Sequence, residues 1–238
     1  MTMWTPSALA SEARAYKGRI IRVVEAQHRI STNRLADNAG DQILLERLAD
    51  AVKPNLPQSA HHLPWLLASP FRYGFGRPSR FRAAHMMPGI FYASEKVETA
   101  ITEAAYWRLL GFSRSPGFQK PRTPTPMSAF SVGTESLRAL DLTQGALAKD
   151  SALWTHPSDY SATQALGATA REAGIELLRA PSARAKDGVN VAILDPAALR
   201  PPPRPHSSWA FTLNGDTLIA TQELGARAMR FTTADFGL

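Results

Sequence analysis

Three polar side chains follow one another at short intervals: Arg80 in "SRF", Tyr92 in "GIFYAS" and Glu103 in "EKVETAITEAAYW". A fourth, Ser182, stands farther on in "APSAR". Together they offer a cation that pairs with phosphate oxygens, a ring that stacks, a carboxylate and a hydroxyl. That inventory suits glycosidic chemistry on a nucleotide. Singly, each has a plainer reading: Arg80 as a surface charge, Tyr92 as a half-buried strand aromatic, Ser182 as a turn residue. Glu103 alone reads as solvated, because most glutamates are exposed.

These residues act together only if the elements bring them together. A short apolar strand is expected over 89–92 and a helix over 95–110. On a wheel at ~100° per residue, Val97, Ile101, Ala104 and Ala105 form the buried face, and Glu103 falls on its flank. A flank carboxylate faces either solvent or a cleft that the helix borders. Arg80 reaches the strand through a loop, and Ser182 ends another strand.

The rest of the chain reads as mixed elements. Strands are expected at 18–26, 127–132, 136–143, 175–183 and 188–196, with a turn at Gly133 between the second and third. Helices are expected within 34–54, closed by Pro54, and over 160–174, closed by Gly174. Residues 61–81 and 113–127 carry too much Pro and Gly for regular structure. "PPPRP" at 201–205 reads as punctuation, and 209–222 as a hairpin turning on Asn214-Gly215. The order implies a single α+β domain with helices packed on an antiparallel or mixed sheet. No glycine-rich phosphate loop is present, so a nucleotide would be held by arginines and strand ends.

In order and spacing these residues resemble the RES-domain toxins of bacterial RES–Xre type II toxin–antitoxin systems, most nearly the ParT-like branch of this ParT/MbcT group. The shared pattern is Arg80-Phe81, then Tyr92 in "FYAS", then Glu103 eleven residues later. Ser182 in "PSA", Asn190 after it and Arg22 on the early strand also match. The resemblance spans about residues 19–196, and "LLASPFRYGF" is characteristic of the ParT-like branch. Two departures stand out: the interval from Arg80 to Tyr92 is 12 residues, longer than in short forms, and Ile21 replaces a tyrosine before Arg22.

The resemblance implies one RES domain over 1–238, related to the ADP-ribosyltransferase fold, with a twisted, split sheet surrounded by helices. Residues 201–238 would be a C-terminal hairpin extension packed on it. It implies a growth-arresting toxin that binds NAD+ as substrate and cleaves its nicotinamide–ribose bond. Glu103, Arg80 and Tyr92 would be catalytic; Arg80, Tyr92, Ser182, Arg22 and Asn190 would bind NAD+, with no metal. Nicotinamide leaves neutral from a cationic pyridinium, so no strong general acid is needed, and a carboxylate near C1′ stabilises an oxocarbenium-like transition state. ADP-ribose would pass to a protein, as in ParT-like members said to modify phosphoribosyl pyrophosphate synthetase. The alternatives are an NAD+ glycohydrolase or phosphorylase, and a catalytically inactive binding module. The implied partner is an antitoxin with an Xre-like helix-turn-helix and a C-terminal region that blocks the cleft.

Composition narrows the classes further. No cysteine is present, which excludes disulfides, thiolate zinc sites and a cysteine nucleophile. The six histidines contain no i, i+4 pair, so a histidine metal site is not expected. Net charge is +7, and only 6 of the 27 basic residues are lysine. The arginines are scattered rather than run together, which suits an acidic protein partner or polyanionic ligand better than nucleic acid. No apolar run suits a membrane span and no signal peptide is apparent, so the cytoplasm is the expected compartment.

Overall fold

Two short strands, and which way their alternate residues face, set the layout of the molecule. The computed structural model describes residues 4–26, 38–73, 78–115, 117, 121 and 123–238. In chain order the elements are α1 (Pro6–Ser11), β1 (Arg14–Glu25), α2 (Ala39–Ala51), α3 (Trp65–Arg72), β2 (Phe91–Ser94), α4 (Val97–Ser113) and β3 (Thr125–Asp141). They continue as α5 (Ser151–Trp154), α6 (Ser161–Glu172), β4 (Leu177–Pro181), β5 (Val189–Ile193), β6 (Leu199–Asn214), β7 (Thr217–Gln222) and β8 (Ala228–Thr232). The α+β class expected from the sequence is the one observed.

The strands form one sheet in the order β1-β2-β5-β4-β3-β6-β7-β8, and β1 also pairs with β3. That extra pairing closes β1, β2, β5, β4 and β3 into a ring. The sheet divides at β3, whose edge opposite β1 is shared: β6 pairs along 125–134 and β4 along 139–141.

Side chains alternate across a strand, so register decides which face each residue joins. Phe91, Ala93, Val191, Ile193 and Leu177 fall on one face and pack with Ile20, Phe130 and Val132 as one core cluster. Tyr92, Ser94, Asn190 and Ala192 fall on the other. There Tyr92 and Ala192 meet Leu178, Ala180 and the apolar side of α6, including Leu166 and Ala170. A third cluster joins α4, through Val97, Ile101, Ala105 and Leu109, to Trp209, Phe211, Leu218 and Phe231 of β6, β7 and β8.

Several expected boundaries move, each for a physical reason. The two strands expected on either side of Gly133 are one strand, β3, which runs through that residue. The pairing with β6 shifts register between Ser131 and Gly133, and a glycine inside a strand marks such an irregularity. "PPPRP" is not punctuation but part of β6. Pairing with β7 begins only at Trp209, so the prolines lie where one edge has no β7 partner. Within 61–81, α3 forms despite Pro70, because burial of Leu67, Ala68 and Phe71 outweighs propensity. The hairpin turns on Gly215-Asp216, one residue later than expected, and β8 adds a third strand to it. The helix expected within 34–54 is α2, but Ile43, Leu44 and Leu48 are exposed on it. Expectations for residues 34–37 and for parts of 113–127 lie outside the described residues.

Helix α6 touches the loop bearing Arg80 at its narrowest point. A Cβ at Gly167 would stand 2.0 Å from the Phe81 carbonyl oxygen, so only glycine permits this approach. Gln164 adds a bond from its Nε2 to the Ser79 carbonyl at 3.1 Å. Gly167→Ala is expected to cost about 1–3 kcal/mol by overpacking, measured by urea unfolding; a wild-type midpoint would show that the contact is loose.

Candidate active site

A cavity of about 300 Å³ opens between α4, the 79–81 loop, Tyr160 and the turn from β4 to β5. Arg22, Arg80, Tyr92, Glu103 and Asn190 all line it. Five of the six residues singled out in the sequence therefore share one cavity. Ser182 stands beside it, behind Glu103.

Glu103 is half-buried, not solvated as its wheel position alone suggests. Its Oε1 accepts a hydrogen bond from Ser182 Oγ at 2.7 Å and another from Asn190 Nδ2 at 2.5 Å. Its Oε2 has no partner among the described residues. Asn190 is itself oriented, because Ser94 Oγ donates to its Oδ1 at 2.6 Å. Register explains this: Ser94 and Asn190 are directly paired across β2 and β5, on the face opposite the core. Ser182 Oγ accepts from the backbone N–H groups of Arg184 and Ala185, which directs its one hydrogen at Glu103. Ser182, expected to contact a ligand, directs its hydroxyl hydrogen at Glu103 in this structure.

Tyr92 is bound at its hydroxyl as well as packed at its ring. Its oxygen accepts from the Phe81 backbone N–H at 3.1 Å and shares a hydrogen with Ser79 Oγ at 2.8 Å. These two residues flank Arg80, so Tyr92 brackets the arginine's backbone from both sides. Burial raises the Tyr92 pKa above its ordinary value, and the hydroxyl keeps its proton at neutral pH.

Arg80 is held by carbonyls rather than carboxylates. Its Nη1 donates to the carbonyls of Trp154 at 3.0 Å and His156 at 3.1 Å, and the guanidinium lies 4.6 Å from the centre of the Tyr160 ring. Burial lowers its pKa, and the nearby Arg184 pushes the same way. Arg22 donates from Nη1 to the Tyr92 carbonyl at 2.7 Å and stacks 5.0 Å from the Phe91 ring centre. It also borders a second cavity of about 360 Å³. Burial lowers its pKa to about 10.

The wall contains residues that the sequence reading missed. Tyr106 and Trp107 lie three and four positions after Glu103, the helical spacing that puts them beside it. Arg184, two residues after Ser182, was equally within reach of that reasoning. Ser79, directly before Arg80, was within reach in the same way, whereas Tyr160 carries no local signal. Among the described residues, no group of three or more His, Asp and Glu is placed to hold a metal ion, and no helix is long and apolar enough to cross a membrane.

Comparison with known proteins places this geometry in context. The family model for the RES domain matches residues 56–214. No curated protein matches the sequence. Among solved structures the chain is similar to that of the M. tuberculosis MbcT–MbcA toxin–antitoxin complex, with a TM-score of 0.46 and 14% identity. That match covers 86% of this chain and 92% of the other.

Two substitutions test the site's construction. Tyr92→Phe keeps the ring but leaves the Phe81 N–H unpaired, an expected loss of about 1–3 kcal/mol in urea unfolding; an unchanged midpoint would mean the bracket is idle. Arg22 titrates lower in the folded chain than in the unfolded one, so the unfolded chain holds the extra proton between pH 10 and the ordinary arginine value. Arg22 therefore opposes folding at every pH below about 10, and the penalty fades as pH rises through that window. Arg22→Met is expected to unfold at an equal or higher urea concentration at pH 7. A clear fall in midpoint would contradict the reading of Arg22 as a half-buried charge that opposes folding.

Proposed function

The chain belongs to the RES-domain family, and from that membership we propose that it is the toxin of a toxin–antitoxin module whose cavity binds NAD+ and cleaves its nicotinamide–ribose bond. The observation that carries this reading is the state of Glu103. One carboxylate oxygen is fixed by two neutral donors, while the other has no partner among the described residues. A carboxylate so oriented, beside aromatic rings and arginines that make no ion pair among the described residues, suits a substrate with a developing cation and a diphosphate.

In this mechanism Glu103 faces C1′ of the nicotinamide ribose. The C1′–N bond breaks with its electron pair going to the ring nitrogen, and nicotinamide leaves neutral. The positive charge that grows on C1′ and the ring oxygen is stabilised by Glu103. A nucleophile on the acceptor then bonds to C1′ and gives up its proton to Glu103 or solvent. Arg80 pairs with the diphosphate, Tyr92 supplies a ring wall for the ribosyl end, and Arg22 adds positive potential from the far side of Tyr92. Ser182 and Asn190 act through Glu103, as positioning residues.

The acceptor in this reading is a protein, as the ParT-like pattern implies, with water and inorganic phosphate as rivals. The partner is an antitoxin that covers the cavity, and a net charge of +7 favours encounter with an acidic one.

Glu103→Gln keeps an oxygen for Ser182 and Asn190 while removing the charge. It is expected to lower nicotinamide release about 10²–10³-fold without a change in unfolding midpoint. Release at the wild-type rate would sink the assignment. With NAD+ labelled on the adenylate, label in a protein band supports transfer. Label in free ADP-ribose or ADP-ribose 1″-phosphate assigns the acceptor to water or phosphate.

A further inference from the structure

Two arginines share one tyrosine on the cavity wall. Arg80 lies 4.6 Å from the centre of the Tyr160 ring. Arg184 donates from Nη2 to the Tyr160 hydroxyl at 3.3 Å and also to the Pro157 carbonyl, and its guanidinium lies 3.7 Å from the centre of the Tyr106 ring. All three carbonyls that grip these two cations, at 154, 156 and 157, come from the one segment that leads into α6. Neither arginine makes an ion pair among the described residues.

Such an arrangement costs free energy. Two like charges flank one ring; burial lowers the Arg80 pKa most, Arg184 adds to that, and Tyr160 and Glu103 act against it. Carbonyl dipoles and ring faces offset part of that cost, but they do not neutralise the charges. Both guanidinium groups face the same cavity. Their remaining N–H groups are therefore open to an acceptor with two negative charges.

We infer that Arg80 and Arg184, spaced by Tyr160, form a two-point clamp for the diphosphate bridge of a dinucleotide, with Arg184 setting selectivity for a diphosphate over a single phosphate. The clamp deepens the NAD+ reading and rests on it for the identity of the natural ligand. Charge pattern favours it. NAD+ carries two negative charges on its diphosphate and one positive charge on its pyridinium; the cavity offers two shared cations and, on its α4 wall, the Glu103 carboxylate. Arginine rather than lysine suits the task, because a planar fork meets two phosphate oxygens at once.

Isothermal titration of the full chain with inorganic pyrophosphate, inorganic phosphate and ADP-ribose tests the clamp without requiring any bond to break. The wild type is expected to bind pyrophosphate and ADP-ribose more tightly than phosphate. Arg184→Gln is expected to weaken both by at least about tenfold, with a shallower salt dependence, as expected for the loss of a charge-assisted bidentate contact. Binding of uncharged nicotinamide stays as in the wild type. Arg184 also packs on Tyr106, so Arg184→Lys, which keeps the charge and most of the stem, guards against loss of fold. It is expected to recover part of the affinity but not the preference for pyrophosphate over phosphate. Wild-type affinity for ADP-ribose in Arg184→Gln, or in Arg184→Lys a wild-type preference for pyrophosphate, overturns the clamp. So does a wild type that binds phosphate as tightly as pyrophosphate. A chain that binds pyrophosphate through Arg184 yet releases no nicotinamide would keep the clamp and sink the cleavage reading.

Discussion

A half-buried carboxylate that makes no ion pair among the described residues is the constraint on which the site depends. Glu103 is taken partly out of water, and such a charge persists only if hydrogen-bond donors replace its hydration. Two neutral donors do so, from different parts of the fold: Ser182 from the end of β4 and Asn190 from β5. The bonds tie α4 to the ring of strands at the point where the cavity opens. They also leave the carboxylate's charge uncancelled, which a salt bridge would not. The donors are themselves fixed, Asn190 by Ser94 and Ser182 by the backbone of the turn that follows it.

A second constraint sets the opposite wall. The Tyr92 hydroxyl holds the residues on both sides of Arg80, and Gly167 lets α6 press against the same loop. Arg80 is thereby set from below by a strand and from behind by a helix, although it lies on a loop itself. Strand alternation links the two walls. Tyr92 and Ser94 share a face, so one strand carries the support for the arginine and, through Asn190, the support for the glutamate. A slip of one residue in β2 would send both supports into the core and Phe91 and Ala93 out of it.

Much of this was legible in the chain, but by different routes. Local periodicity found β2, α4, α6, β4 and β5, because their apolar spacing is regular and their ends carry turn residues. It misplaced elements where packing overrides local signals: Gly133 reads as a turn but lies inside β3, and the prolines of β6 read as a break. The wheel placed Glu103 on a flank and could say no more, since α4 is buried both against the strand ring and against β6–β8. Only the resemblance carried by Arg80, Tyr92 and Glu103 pointed it into a cleft. Tyr106 and Trp107 were recoverable from helical spacing once Glu103 was chosen. Tyr160 was not, because nothing local relates it to Arg80; α5 and the segment before α6 bring it there.

The third core cluster has a consequence for the order in which the molecule is completed. Helix α4 carries Glu103, yet part of the surface it packs on comes from Trp209, Phe211, Leu218 and Phe231, more than a hundred residues later in the chain. On the ribosome the helix is made long before that surface exists. Asn190 and Ser182 likewise emerge some eighty residues after the carboxylate they orient. A nascent chain that has reached only α4 therefore holds the glutamate without the donors or the packing that fix it. The cavity is assembled late in synthesis, which separates the making of α4 from the appearance of the cavity it borders.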